Sequence, residues 1–280
     1  MQLTTANHDR DVMQMRYVYP VVSRRAGGLS IGININTNHA CDWHCVYCQV
    51  PNLMRGAAPT IDFALLEEEL RAMLHCVIHG SFLEKHVPQE MRQLCDVAIS
   101  GNGEPTSTRK FTVLIQCVIG IMADFELAHL PLRLISNGSY MSKRWVQEGL
   151  ALMDRVAGEV WIKVDAIDAD DVERINGVRI DQRQFFEQVK IAASLCPTWI
   201  QTCMFAWKGD APSAAQVAAY CAFLQMLLDE KIPIQGVLLY GVARPSLQAE
   251  SAFVTALPKQ ALAKIAEQVV ALGLPVQIHH

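Results

Sequence analysis

Three cysteines stand within eight residues of this chain, Cys41, Cys45 and Cys48, spaced C-x3-C-x2-C in the stretch CDWHCVYC. Three thiols this close can share one metal centre, and in one short segment they are rarely inert. Two centres suit them. Structural zinc wants four ligands, so His44 would have to complete a Cys3His set, an awkward reach for a residue adjacent to Cys45. An iron–sulfur cube held by three cysteines keeps one iron without a protein ligand. As at a catalytic zinc, such an open position is where water or substrate binds.

Polar residues elsewhere recur at the ends of apolar, strand-like runs. "CDVAISGN" runs into Gly101, Asn102, Gly103 and Glu104, "LRLISNG" ends in Ser136 and Asn137, and "EVWIKVDA" carries Lys163 and Asp165. "TWIQTCMFAW" carries Gln201, and "PIQGVLLYGVA" ends near Tyr240, Gly241 and Arg244. A polar side chain in a buried strand costs free energy unless it is paired. Singly, each has an ordinary role: Asp165 could cap a helix, Lys163 could extend to solvent, and Gly-Asn-Gly could be a turn. Several at one rim, beside a thiol-rich loop, favour a site.

The elements that would position them alternate. "LSIGININ" (residues 29–36) opens a series of six strand-like runs, each followed by a helix-like one. Phe63, Leu66, Leu70, Met73, Leu74 and Val77 recur at helical spacing, with Asp62 as N-cap. Further helices are expected over 108–123, after a Ser142 cap, over 182–195 and 213–228, and from Pro258 to Gly273. Six βα units imply a parallel sheet with helices outside, and six is short of a closed eight-fold barrel. The expected fold class is therefore α/β, a partial (β/α)6 TIM-like barrel, whose chemistry sits at the carboxyl ends of the strands. Residues 1–28 read as an N-terminal extension packed on the core. Residues 29–280 read as one domain, with a core to about 245 and a C-terminal helical extension over 246–280.

Composition sets outer limits. The 280 residues are 51% hydrophobic and 19% charged, as in ordinary globular domains, and the net charge of −4 lacks the basic excess of a general nucleic-acid binder. No apolar leader opens the chain and no apolar run approaches the ~20 residues of a membrane span, so a cytoplasmic protein with no membrane partner is expected. The other six cysteines (Cys76, Cys95, Cys117, Cys196, Cys203, Cys221) lie singly in apolar segments and read as small buried hydrophobes. His75 and His79 lack the glutamate of an HExxH zinc motif and read as structural or surface histidines.

C-x3-C-x2-C with an aromatic, Tyr47, before the last cysteine resembles the radical S-adenosylmethionine (SAM) superfamily, and SGNGEPT (residues 100–106) resembles its Gly-Gly-Glu motif. With KVDA and RING, the pattern is most similar to the small iron–sulfur oxidoreductase group related to wybutosine synthesis, over roughly residues 25–245. The resemblance implies a [4Fe–4S] cluster on Cys41, Cys45 and Cys48, with the amino and carboxylate groups of SAM on the fourth iron. It implies cofactor contacts from Tyr47, Gly101, Gly103, Glu104, Ser136, Asn137, Lys163 and Asp165, with Glu104 on the ammonium and the Tyr240–Gly241 backbone beside the adenine. It further implies reductive cleavage of SAM to a 5′-deoxyadenosyl radical, fed by an external one-electron donor of flavodoxin or ferredoxin type. A small-molecule substrate is expected, with a protein or RNA substrate as alternatives. Two features depart from related enzymes: Gly-Asn-Gly-Glu replaces Gly-Gly-Glu, and no cysteine follows Cys221 to hold an auxiliary cluster. Arg24, Arg25, Arg55, Arg109 and Arg244 are scattered in sequence, and at the rim they could bind an anionic small molecule.

Overall fold

The computed structural model describes residues 3–4, 13–23 and 25–279. Its frame is one large sheet. The strands are β1 (Val18–Ser23), β2 (Gly28–Ile33), β3 (Ala40–Cys41), β4 (Met54–Arg55), β5 (Leu94–Ile99), β6 (Leu132–Ser136), β7 (Gly158–Lys163), β8 (Thr198–Trp207), β9 (Ile234–Gly241), β10 (Val254–Ala256) and β11 (Val276–His279). The order is β1-β2-β5-β6-β7-β8-β9-β11, with β10 antiparallel on the far end of β8. The six strands expected from sequence form the parallel centre. β11 extends it in parallel, and β1 closes the other edge antiparallel to β2. Among the described residues no ladder joins β1 to β11, so the barrel is open. β3 and β4 pair in parallel apart from this sheet and bracket the cysteine loop.

The helices are α1 (Phe63–Ile78), α2 (Phe82–His86), α3 (Phe111–Asp124), α4 (Arg144–Met153), α5 (Ala169–Asn176), α6 (Gln182–Leu195), α7 (Ala214–Asp229) and α8 (Lys259–Val270). Asp62 caps α1 by accepting the Leu65 amide, as its position suggested. α6 and α7 each begin with a reciprocal capping box, Asp181 with Gln184 and Ser213 with Gln216. Ser142 does not cap α4. The residue before that helix is Lys143, with no side-chain cap. Seven of these elements escaped hydrophobic periodicity: β1, interrupted by Pro20 and tolerated because it is an edge strand; the short strands β3, β4, β10 and β11; and the short helices α2 and α5, the latter acidic in its first turn. The segment after residue 245 carries α8 as expected, together with β10 and β11.

Strand alternation separates two environments. Leu29, Ile31, Ile33, Val97, Ile99, Leu132, Leu134, Val160 and Ile162 face the helices and form the main apolar core. The opposite face lines the barrel interior and is polar. There Arg133 bridges Asp96 and Glu159, Ser30 donates to Asp96, and the Arg133 guanidinium lies 4.8 Å from the Trp161 ring centre. Burial pushes the Asp96 carboxyl up, and Arg133 opposes that shift. No helix among the described residues is long and apolar enough to cross a membrane.

The edge strand β1 is tied down by one buried carboxylate. Glu69 of α1 accepts the amides of Arg16 (2.7 Å), Tyr17 (2.7 Å) and Val18 (3.3 Å). Glu69→Ala orphans all three donors and should lower unfolding stability by about 3 kcal/mol in urea titrations, with Glu69→Gln losing roughly half as much. Stability unchanged within about 0.5 kcal/mol would show that β1 is held by its ladder alone.

Candidate functional site

The first βα loop carries the cysteines. Residues 42–50 contain neither helix nor strand, so their shape is set from outside. His44 and Val46 donate their amides to the carbonyls of Asn176 (2.8 Å) and Ile175 (2.9 Å), at the carboxyl end of α5. Gly177 follows in the left-handed region (φ 65°), and its carbonyl accepts from Arg55, which also donates to the Asp42 carbonyl. On the other side Ser246 donates to the Val46 and Cys48 carbonyls (2.7 and 3.1 Å), and Gln248 to those of Cys48 and Val50 (3.2 and 2.8 Å). The indole of Trp43 is 1% exposed and donates to the Ser139 hydroxyl (2.9 Å).

Each sulfur receives an N–H. The Trp43 amide points at Cys41 Sγ (3.4 Å), the Asn176 side-chain amide at Cys45 Sγ (3.3 Å), and the Val50 amide at Cys48 Sγ (3.5 Å). A neutral thiol sulfur is a weak acceptor, so three convergent donors suit thiolates and the second shell of a metal centre. Burial pushes the Cys41 thiol well up, with the Glu104 carboxylate adding to it. Burial also raises the Cys45 thiol, to about 11, against the pull of Lys163. Thiolates here therefore call for a cation.

Glu104, 2% exposed, ends the loop after β5. Its Oε1 accepts from the Thr106 amide and hydroxyl and from the Ser136 hydroxyl (2.8 Å), while among the described residues Oε2 accepts only the Asn137 amide (2.7 Å). Oε2 thus keeps acceptor capacity. Burial, then Asp42, push this carboxyl up to about 7 against those bonds. Gly103 leaves room for close backbone approach: a Cβ there would sit 1.9 Å from the Ala40 carbonyl oxygen.

On β7, Lys163 donates to the Tyr47 hydroxyl, lies 4.6 Å from the centre of its ring, and stands 3.8 Å from Asp165. Burial lowers and Asp165 raises the Lys163 ammonium; the net direction is up, and it stays charged. Asp165 itself accepts from Tyr47, from Asn176 (2.8 Å) and from the Cys203 amide (2.9 Å). It is engaged within the protein beneath Tyr47 and does not line the principal cavity.

That cavity, about 330 Å³, lies at the carboxyl ends of the strands. It brings together Cys41, Cys45, Cys48, Tyr47, Gly101, Gly103, Glu104, Ser136, Asn137 and Lys163, all singled out from sequence, as well as Tyr240 and Gly241. Asp165 is the exception. Sequence reasoning missed Asn176, Ser246 and Gln248. The only trace of the first is its place in the RING segment; the other two lie in an irregular stretch without periodicity. The zinc alternative loses its fourth ligand, because the His44 ring faces Glu250 (3.4 Å) rather than the cavity. Among the described residues no three His, Cys, Asp or Glu side chains converge at single-ion distance. Of the isolated cysteines, Cys196 and Cys203 are buried, whereas Cys76, Cys95, Cys117 and Cys221 are only half-buried. His75 and His79 lie exposed on α1.

Comparison with known proteins locates this arrangement. No family model matches the chain. A 155-residue stretch, 55% of the chain, is 22% identical to the GTPase Obg of Brachyspira hyodysenteriae and spans 20% of that protein's length. The Gly-Lys step of a P-loop does not occur in this sequence. Among solved structures, a radical SAM methyltransferase from Sphaerobacter thermophilus superposes with TM-score 0.61 at 11% identity, over 96% of this chain and 71% of that one. Streptococcus suis SuiB bound to S-adenosylmethionine superposes with TM-score 0.53 at 12% identity, over 86% of this chain and 45% of that one. The fold is thus the partial barrel that these radical SAM proteins share.

A carboxyl raised to about 7 binds its proton more tightly when folded than when unfolded. Stability through Glu104 is therefore highest below its ordinary pKa of 4.5 and falls as pH rises through about 7. Thermal melts of the cofactor-free chain should show that decline between about pH 4.5 and pH 7, and Glu104→Gln should flatten it. Identical pH slopes in the two proteins would place the Glu104 proton elsewhere.

Proposed function

We propose that this chain is a radical SAM enzyme. Its three cysteines hold a [4Fe–4S] cluster and its rim binds S-adenosylmethionine. The observation that carries the reading is convergence: three thiols with an N–H aimed at each, a buried carboxylate with a spare oxygen and a lysine meet in one cavity of the fold that radical SAM proteins share. A four-iron cube binds each thiolate at a different iron. The three cysteines line one cavity, as ligands of one such cube would.

When bound, the cluster and SAM together supply one-electron reductive cleavage to a 5′-deoxyadenosyl radical. The chain's own residues do the positioning. Glu104 Oε2 accepts the methionine ammonium, with Gly101 and Gly103 lining the cavity beside it. Lys163 and Asn137 offer donors to the carboxylate, a match of opposite charges that fixes orientation. Asp165 acts at one remove. By holding Tyr47, Lys163 and Asn176 it keeps the Cys45 donor and the cavity wall in place. Deep burial of Trp43 and Tyr47 limits water around the thiols.

We further propose a cytoplasmic enzyme served by a flavodoxin- or ferredoxin-type electron donor, closest in character to the wybutosine-related group. A small-molecule substrate is favoured over RNA by the net charge of −4.

Anaerobic reconstitution with iron and sulfide, then reduction with SAM, should yield 5′-deoxyadenosine. Cys45→Ala should abolish it. Glu104→Ala should retain the cluster chromophore and weaken SAM binding at least about tenfold, the scale of one charge-assisted hydrogen bond. A wild-type preparation with an intact cluster and no 5′-deoxyadenosine would refute the assignment.

A further inference from the structure

The cavity continues past the cofactor-facing residues into the barrel interior, where it is lined by Val21, Ser23, Arg25, Ile135 and Gln201. Two of these carry unanswered hydrogen-bonding groups. Arg25, from the turn between β1 and β2, places its guanidinium 5.1 Å from the Trp161 ring centre and 5.4 Å from that of Tyr240. Its Nη1 is buried and has no hydrogen-bond partner among the described residues. Gln201 on β8 is 2% exposed, and its Oε1 is likewise buried and unpartnered.

Arg133 is the internal comparison. It stacks on the other side of the same polar interior, on Trp161, yet it is fully paired with Asp96 and Glu159. A structural arginine in this lumen thus has its carboxylates. Arg25 makes no ion pair among the described residues, and Asp96, whose field supports its charge, is taken by Arg133 and Ser30. A desolvated guanidinium with an open N–H edge is costly, and the two aromatic rings offset only part of that cost. Its planar fork matches a carboxylate or phosphate edge-on. An orphaned amide oxygen asks for the opposite partner, a donor.

We propose that Arg25 and Gln201 form the recognition end of the substrate site, for a small molecule that carries an oxyanion next to a hydrogen-bond donor. The inference rests on the radical SAM reading for the word substrate, while the anion site itself does not. Of the five arginines conspicuous in sequence, Arg25 and Arg244 line the cavity. Arg55 clamps loop carbonyls, Arg109 lies 6.0 Å from the Trp145 ring centre, and Arg24 lies outside the described residues. The ring contacts of Arg25 hold its guanidinium in place before a ligand arrives, so less order is lost on binding.

Calorimetric titration of the full-length chain, with and without cluster reconstitution, tests this with four probes: glycolate, acetate, glycolamide and inorganic phosphate. Glycolate should bind saturably and more tightly than acetate, and neutral glycolamide should not bind. Arg25→Gln should weaken glycolate at least tenfold, Arg25→Lys less so. Gln201→Leu should erase the preference for glycolate over acetate. Phosphate tighter than glycolate would identify a phosphorylated ligand, and the reverse order a carboxylate. Melting curves that match wild type confirm that the variants fold, and the lysine variant keeps the charge if the glutamine variant does not. Undetectable binding of every anion, or equal glycolate affinity in Arg25→Gln, overturns the proposal. If wild type forms 5′-deoxyadenosine while Arg25→Gln binds glycolate normally, the substrate site fails and the enzymatic reading stands. If no 5′-deoxyadenosine forms yet glycolate binding depends on Arg25, the reading fails and the anion site stands.

Discussion

A loop that leaves the two-residue strand β3 at Cys41 and then has no regular structure must hold three thiols at fixed positions, and the rest of the molecule is arranged around that demand. Residues 42–50 make no regular ladder, so every buried backbone group needs a partner from another element. The carboxyl end of α5 supplies carbonyls to one side, and Ser246 and Gln248 supply donors to the other. Asn176 joins the two functions. Its backbone carbonyl anchors His44, while its side chain reaches both Cys45 and Asp165. Three of these partners, Asn176, Ser246 and Gln248, are buried.

The second constraint is charge in a low-dielectric interior. The barrel lumen gathers the buried Asp96 and Asp165 with the partly buried Glu159, Arg25, Arg133 and Lys163. Most are internally neutralised. The Asp96–Arg133–Glu159 group closes the deep end, and Lys163–Tyr47–Asp165 forms the wall below the cysteines. Several groups with bonding capacity left over face the cavity: one oxygen of Glu104, three thiols, and Arg25 and Gln201; Asn176 Oδ1 and Gln188 Oε1 are likewise buried and unpartnered among the described residues but lie outside it. Where such groups line a cavity, a bound ligand can complete their bonding.

Much of this was readable in the sequence, for identifiable reasons. Parallel strands covered on both faces read as apolar runs, and so β8 appeared with its exact ends. Strand-end polar residues then converged as the barrel geometry requires. Asp165 was expected among the cofactor contacts; sequence could not show that its carboxylate is engaged with Tyr47 and the Cys203 amide and lies outside the cavity that holds the cysteines. Ser246 and Gln248 were invisible, since each acts through long-range contacts with no local pattern, and Asn176 left only its place in the RING segment. Pro20 concealed β1, and the brevity of β11 left it without periodicity. Arg25 was one arginine among several until the fold stacked it on Trp161 and Tyr240.

The central claim is that three cysteines hold a cluster with one open position, beside groups shaped for a charged nucleoside. Electron paramagnetic resonance of the reduced, reconstituted chain tests it most directly. A [4Fe–4S]+ signal whose g-values shift on addition of S-adenosylmethionine, and not on addition of adenosine alone, is the predicted result. A signal indifferent to S-adenosylmethionine, or a chain that takes up zinc and no iron, would contradict it.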